Sequence, residues 1–135
     1  MALNVSLLRE SFEVVATANP KFISRFYEIL FERYPQTKTM FTPGGAARQA
    51  EMLTGALVAV LDHLEDAPWL QNTLGALGAK HVDYGVTPQM YDWVGASLLA
   101  TLAEVAGGAW TPELEAAWAE AYGAIASLML ARATA

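Results

Sequence analysis

The chain has 135 residues, enough for one domain and too few for a second of ordinary size. Hydrophobic residues make up 54% and charged residues only 16%, an apolar excess expected of a fold wrapped on several sides around an apolar body. The net charge of −6, with Lys and Arg scattered singly, argues against nucleic acid or an anionic membrane as partner, and the lack of cysteine excludes disulfides and thiolate-held iron.

No basic leader or small-residue cleavage site marks the N-terminus. The most apolar run, Met52 to Leu61, stops at Asp62 and His63, well short of the roughly 20 residues a bilayer span requires. The expectation is a soluble, cytoplasmic protein.

Strand signals are nearly absent, while helical periodicity and helix punctuation run throughout. The pattern predicts a first helix from about Asn4 to Ala18, with Leu8, Phe12 and Val15 on one stripe. Asn19-Pro20 reads as an N-cap followed by proline at the first helical position, opening a second helix that carries Ile23, Tyr27 and Leu30 to Tyr34. Pro35 ends it. A short turn through Phe41 leads to the break Thr42-Pro43-Gly44-Gly45.

The third helix is expected from Ala46 to Leu64, on the stripe Gln49, Leu53, Ala56, Leu57 and Val60. After Asp66-Ala67-Pro68 a fourth carries Leu70, Leu74, Leu77 and His81 at spacings of four, three and four. Thr87-Pro88 opens a fifth, with Tyr91, Val94, Leu98 and Leu102 inward, and Gly107-Gly108 stops it near Ala106. Thr111-Pro112 opens the last, where Glu113 and Glu115 complement the positive helix end and Leu114, Trp118, Ala121, Ile125 and Leu128 form the stripe. The prediction is a single all-α domain of about six main helices plus short turns, covering residues 1–135.

Three polar residues fall on apolar faces: Tyr27, Gln49 and His81. Burying such groups unpartnered costs about 1–3 kcal/mol each. Singly, each has an ordinary reading: a core histidine with a satisfied hydrogen bond, a partly exposed amide at a helix start, a core tyrosine whose hydroxyl reaches a carbonyl. His81 could equally ligate iron, since neutral imidazole is a common donor. Tyr91 admits the same ordinary reading, and His63, beside Asp62 near a helix end, reads as a solvated surface group. No phosphate loop, nucleophile elbow or obvious acid–base pair is present, and two histidines without cysteine make a poor zinc set.

Taken together, the residues resemble a known family. Arg25-Phe26-Tyr27-Glu28-Ile29-Leu30-Phe31, then Tyr34-Pro35 and Met40-Phe41, is similar to the opening of bacterial single-domain haemoglobins and of the globin half of flavohaemoglobins. His81 follows Gln49 by 32 positions, the family's separation between distal polar residue and proximal histidine. Leu77-Gly78-Ala79-Lys80-His81 with Tyr84-Gly85-Val86 looks like the proximal signature, and Ala117-Trp118 and Ala121-Tyr122-Gly123 resemble the last helix. The resemblance runs from about Leu7 to Ala131.

It implies a globin fold enclosing one haem b, with His81 on the iron, Tyr27, Gln49 and Leu53 on the gas-binding side, and Phe41, Leu77, Val86, Tyr91, Val94 and Leu98 as cofactor contacts. It also implies reversible binding of dioxygen, nitric oxide or other diatomic gases. The alternative within the family is a nitric oxide dioxygenase served by a separate reductase; a gas sensor lacking its output domain and a haem-free helical module are weaker alternatives. One departure stands out: near Ala133, where the family carries a glutamate directed at the proximal histidine, the sequence has no carboxylate. A carboxylate partner makes imidazole more electron-donating, so this departure weakens the case for peroxidase-like or strongly oxygen-activating chemistry.

Overall fold

The computed structural model describes residues 4–40, 46–83 and 85–133. Six α-helices follow in order: α1 (Val5–Ala18), α2 (Phe22–Arg33), α3 (Ala46–Asp62), α4 (Ala67–Asp83), α5 (Pro88–Ala106) and α6 (Pro112–Ala133). A 3-10 segment (Pro35–Met40) follows α2 and a shorter one (Gly107–Ala109) links α5 to α6. There is no strand among the described residues, and none of their helices is long and apolar enough to cross a membrane.

Local chemistry sets the boundaries. Asn4 Oδ1 accepts from Leu7 N–H at 3.2 Å and caps α1. Thr111 Oγ1 accepts from Leu114 N–H at 3.2 Å and does the same for α6. The second helix differs from expectation. Asn19 Oδ1 accepts from Lys21 N–H at 3.0 Å, and Phe22 N–H bonds to Asn19 O. Asn19-Pro20-Lys21 is therefore a tight Asx-type turn, and α2 starts two residues after the proline rather than on it. Tyr34 is the C-cap, its N–H on Leu30 O, because Pro35 bars a helical continuation.

The helices turn the expected stripes inward, some of their residues only partly buried, with additions. In α1, Leu8 and Val15 are buried, and so is Ser11. Trp118 Nε1–H donates to Ser11 Oγ at 2.9 Å, and Ser11 donates on to Leu7 O at 2.7 Å. This satisfies two buried polar groups and pins α6 to α1. In α6 the buried set is Leu114, Trp118, Ala121 and Met129, with Ile125 and Leu128 partly buried against the core, so Met129 joins the expected stripe.

The principal packed pairs are α4 on α6 and α2 on α5, with α2 also on α3 and α1 across α5 and α6. Arg25 reaches from α2 to α5 and holds Glu104 with both ends of its guanidinium, at 2.6 and 2.8 Å. Glycine permits the closest approaches. A Cβ on Gly78 of α4 would lie 2.6 Å from the carbonyl carbon of Met129 in α6 and 2.7 Å from its Cα. A Cβ on Gly95 of α5 would lie 2.6 Å from the Tyr122 ring.

Among the described residues the core divides into two clusters. One cluster gathers Leu8, Val15, Phe26, Tyr27, Leu30, Leu98, Leu102 and Trp118, with Leu53, Leu57 and Val94 against it. The other gathers Val60, Leu74, Tyr91 and Met129, with Leu77, Val86 and Ile125 against it. Leu64 touches both, and α3 and α4 do not pack extensively on each other among the described residues.

Candidate functional site

His81 lies one residue before the last two of α4 and is half-buried. Asp66 starts this helix, its Oδ1 accepting from Trp69 N–H at 3.2 Å. Gly85 ends it at φ +84°, a left-handed conformation that favours glycine. Gly85 N–H bonds to Val82 O and Val86 N–H to His81 O, both at 3.0 Å. This is the paired closure of a Schellman motif. It holds the His81 carbonyl and brings Val86 back beside the histidine.

The ring is oriented from its own helix. His81 Nδ1 lies 2.8 Å from Leu77 O. A carbonyl can only accept, so Nδ1 carries the proton and the lone pair resides on Nε2. The arrangement suits a ligand to a borderline metal: the bond at Nδ1 fixes tautomer and ring plane, leaving Nε2 to donate.

Behind His81 is a recess of about 90 Å³, lined by His81, Val86 and Tyr91, by Met90 and Val94 of α5, and by Tyr122, Ile125, Ala126 and Met129 of α6. This is smaller than the roughly 300–1,000 Å³ that ligand cavities usually enclose. The Tyr91 ring centroid lies 6.3 Å from that of His81. Tyr122 donates its hydroxyl to Tyr91 O at 2.6 Å. Burial pushes the pKa of both phenols up, and Tyr91 and Asp92 add to the effect on Tyr122.

Across the split in the core, Tyr27 is buried in α2, its ring edge-on to Phe26 at 5.0 Å and tilted against Phe31 at 5.9 Å. Burial raises its pKa to about 12, so the phenol keeps its proton at any physiological pH. Leu53, Val94 and Leu98 belong to the same cluster as Tyr27, whereas Leu77, Val86 and Tyr91 belong to the other.

The expected site residues thus fall into three groups. His81, Val86, Tyr91 and Val94 meet at the recess, Leu77 belongs to the cluster of Tyr91, and Tyr27, Leu53 and Leu98 belong to the other cluster. Gln49 occupies the first turns of α3, one turn before Leu53; its side chain, and Phe41 altogether, lie outside the described residues. Sequence reasoning missed the recess residues Met90, Tyr122, Ala126 and Met129. The available signal was Gly95, an interior helical glycine with no role in ending α5, which marks a close approach. His63 also differs from expectation: it is half-buried and stacked on Trp69 at 3.9 Å.

The globin family model matches residues 24–129. A flavohemoprotein of Rhodopirellula baltica is 33% identical over 130 residues, covering 95% of this chain and 32% of its own length. The chain therefore spans about a third of the length of such curated relatives. An engineered carbene transferase from Rhodothermus marinus, provisionally assigned as a nitric oxide dioxygenase, superposes with a TM-score of 0.82 at 29% identity, covering 96% of this chain and 91% of that one. A bacterial globin from Campylobacter jejuni superposes with a TM-score of 0.80 over 95% of this chain and 92% of its own, at 23% identity, a likeness of fold. With its helices in this order and the family model spanning most of its length, the chain belongs to the globin family.

Proposed function

We propose that the protein binds haem b on His81 and reversibly takes up dioxygen or another diatomic gas on the Tyr27 side. The observation that carries this reading is the His81 ring, held through Nδ1 on Leu77 O so that the Nε2 lone pair is the donor, beside a recess whose lining draws on both apolar clusters. The residues fit the group. Imidazole supplies the one strong ligand, and the resemblance's apolar wall residues occur in both clusters. Membership of the globins and the flavohemoprotein relatives support the same cofactor.

When bound, haem would supply an iron able to take up a small gas molecule. Leu77, Val86, Tyr91 and Val94 would hold its His81 side, and Leu53, Leu98 and Phe41 the other. Tyr27 would hold a proton on its hydroxyl and donate it as a hydrogen bond to a polarised ligand, and Gln49 would add a second donor. Apolar walls exclude competing water and strengthen such bonds.

A hydrogen bond to a charged acceptor is worth roughly 1.5–3 kcal/mol, and about 1.4 kcal/mol is a factor of ten. Tyr27→Phe is therefore expected to speed oxygen dissociation about tenfold or more, measured by stopped-flow displacement with carbon monoxide. An unchanged rate removes Tyr27 from this role.

A second reading is favoured by the relatives: a nitric oxide dioxygenase served by a reductase. It uses the same residues. Sustained nitric oxide consumption with a reductase, beyond one turnover per haem, selects it. The experiment that tests both readings is the absorption spectrum of haem-reconstituted protein, ferric, reduced and air-equilibrated, beside His81→Ala. Stoichiometric haem uptake and a stable oxygenated spectrum, both lost in the variant, are expected; no uptake by the wild type refutes the proposal.

A further inference from the structure

The corner between α3 and α4 holds a contact that the haem reading does not use. The His63 and Trp69 rings lie face to face, centroids 3.9 Å apart and planes within 8°. His63 follows the end of α3 and Trp69 sits in the first turn of α4, with only residues 63–66 between the two helices.

Each ring is fixed to its own helix. His63 Nδ1–H donates to Ala59 O at 2.7 Å, one turn back in α3. Trp69 N–H is held by Asp66 Oδ1, Asp66 N–H closes the corner on His63 O at 2.9 Å, and the indole packs on the cluster of Leu74 and Met129. From α1, Arg9 donates through Nε to Leu61 O at 2.9 Å and pairs with Glu65 at 3.1 Å, which steadies the end of α3. The stack joins two anchored rings on two helices that otherwise pack little on each other among the described residues.

We propose that the His63–Trp69 stack is a positioning clasp. It sets the spacing and angle of α3 against α4 at their joined end, and so the separation of Leu53 on α3 from His81 on α4. The inference rests on the haem reading above. His63 and Trp69 touch neither gas nor cofactor; they act through the placement of His81.

The test uses haem-loaded protein with His63→Ala, Trp69→Leu and, as the rescue, His63→Phe, which retains a flat ring. Two readouts are taken beside urea unfolding: the iron–imidazole stretching band of the reduced protein by resonance Raman, and the rate of haem transfer to an excess of apomyoglobin. An aromatic pair of typical strength corresponds to about two- to tenfold in such a rate. His63→Ala and Trp69→Leu are each expected to shift or broaden the band and to speed transfer by that factor. The double variant should do no more than either single one, and His63→Phe should restore both readouts. An unchanged band in both single variants overturns the clasp even if they unfold more easily, because a merely structural contact would change stability alone. Failure of the wild type to take up haem overturns the haem reading and this inference with it, whereas wild-type uptake with unaltered variants overturns the clasp alone.

Discussion

A methyl group added at Gly78 would need space held by the backbone of α6. Its position, 2.6 Å from the Met129 carbonyl carbon and in overlap with the carbonyl oxygen, leaves no flexible side chain to yield. Overpacking costs typically 1–3 kcal/mol, and a backbone obstacle puts Gly78→Ala at the upper end. Against this, alanine is favoured over glycine in a helix by about 1 kcal/mol. The net expectation is a loss of about 2 kcal/mol. For a domain of this size about 4 °C accompanies each kcal/mol, so the melting temperature should fall by about 8 °C. Gly123→Ala in α6 is the control, because a Cβ there meets nothing within 4 Å. It should keep the propensity gain and raise the melting temperature by about 4 °C. Thermal and urea unfolding of the cofactor-free variants, followed by far-UV circular dichroism, gives both numbers. If Gly78→Ala melts at or above the wild type while Gly123→Ala also rises, α4 and α6 do not cross at Gly78, and the placement of His81 three residues further on loses its foundation.

Further outcomes follow from single contacts. Ser11→Ala leaves the buried Trp118 indole N–H without its acceptor and should cost about 1–3 kcal/mol in urea unfolding, while Trp118→Phe in the same background should recover part of that loss. Tyr122→Phe removes the hydroxyl that donates to Tyr91 O; about 1 kcal/mol of stability should go. The buried phenols make the protein sensitive to alkali. Tyr27 titrates near 12 in the folded chain against about 10 when unfolded, and Tyr122 is shifted the same way. The folded state therefore holds protons that the unfolded state releases. This contribution is complete below pH 10 and is lost as pH rises towards 12. Urea midpoints should fall over that window, and less so in Tyr27→Phe; an equal fall in the variant would show that Tyr27 is not shielded.

The sequence by itself determined the helices, because their signals are local. Asn4 and Thr111 cap, Pro35 and Gly107 stop, and spacings of three and four put Leu8, Leu30, Leu74 and Leu102 on buried faces. Joint spacing over the whole chain was also enough to place it among the globins, and it singled out His81 at the end of an apolar stripe. What periodicity could not tell was what each polar group meets. The turn at Asn19 to Lys21 took the place of a proline-led helix start: Phe22 N–H closes the turn on Asn19 O before the helix begins. Only packing decided that Tyr122 would tie down Tyr91, that Met129 would join the last stripe as its most buried member near the end, and that a half-buried His63 would stack on Trp69. These contacts join residues on different helices, and the angle at which two helices cross depends on the volumes of both. A glycine can announce that another element comes close, as Gly78 and Gly95 do. Which element comes close is a property of the assembled tertiary structure, since it depends on atoms far away in the chain.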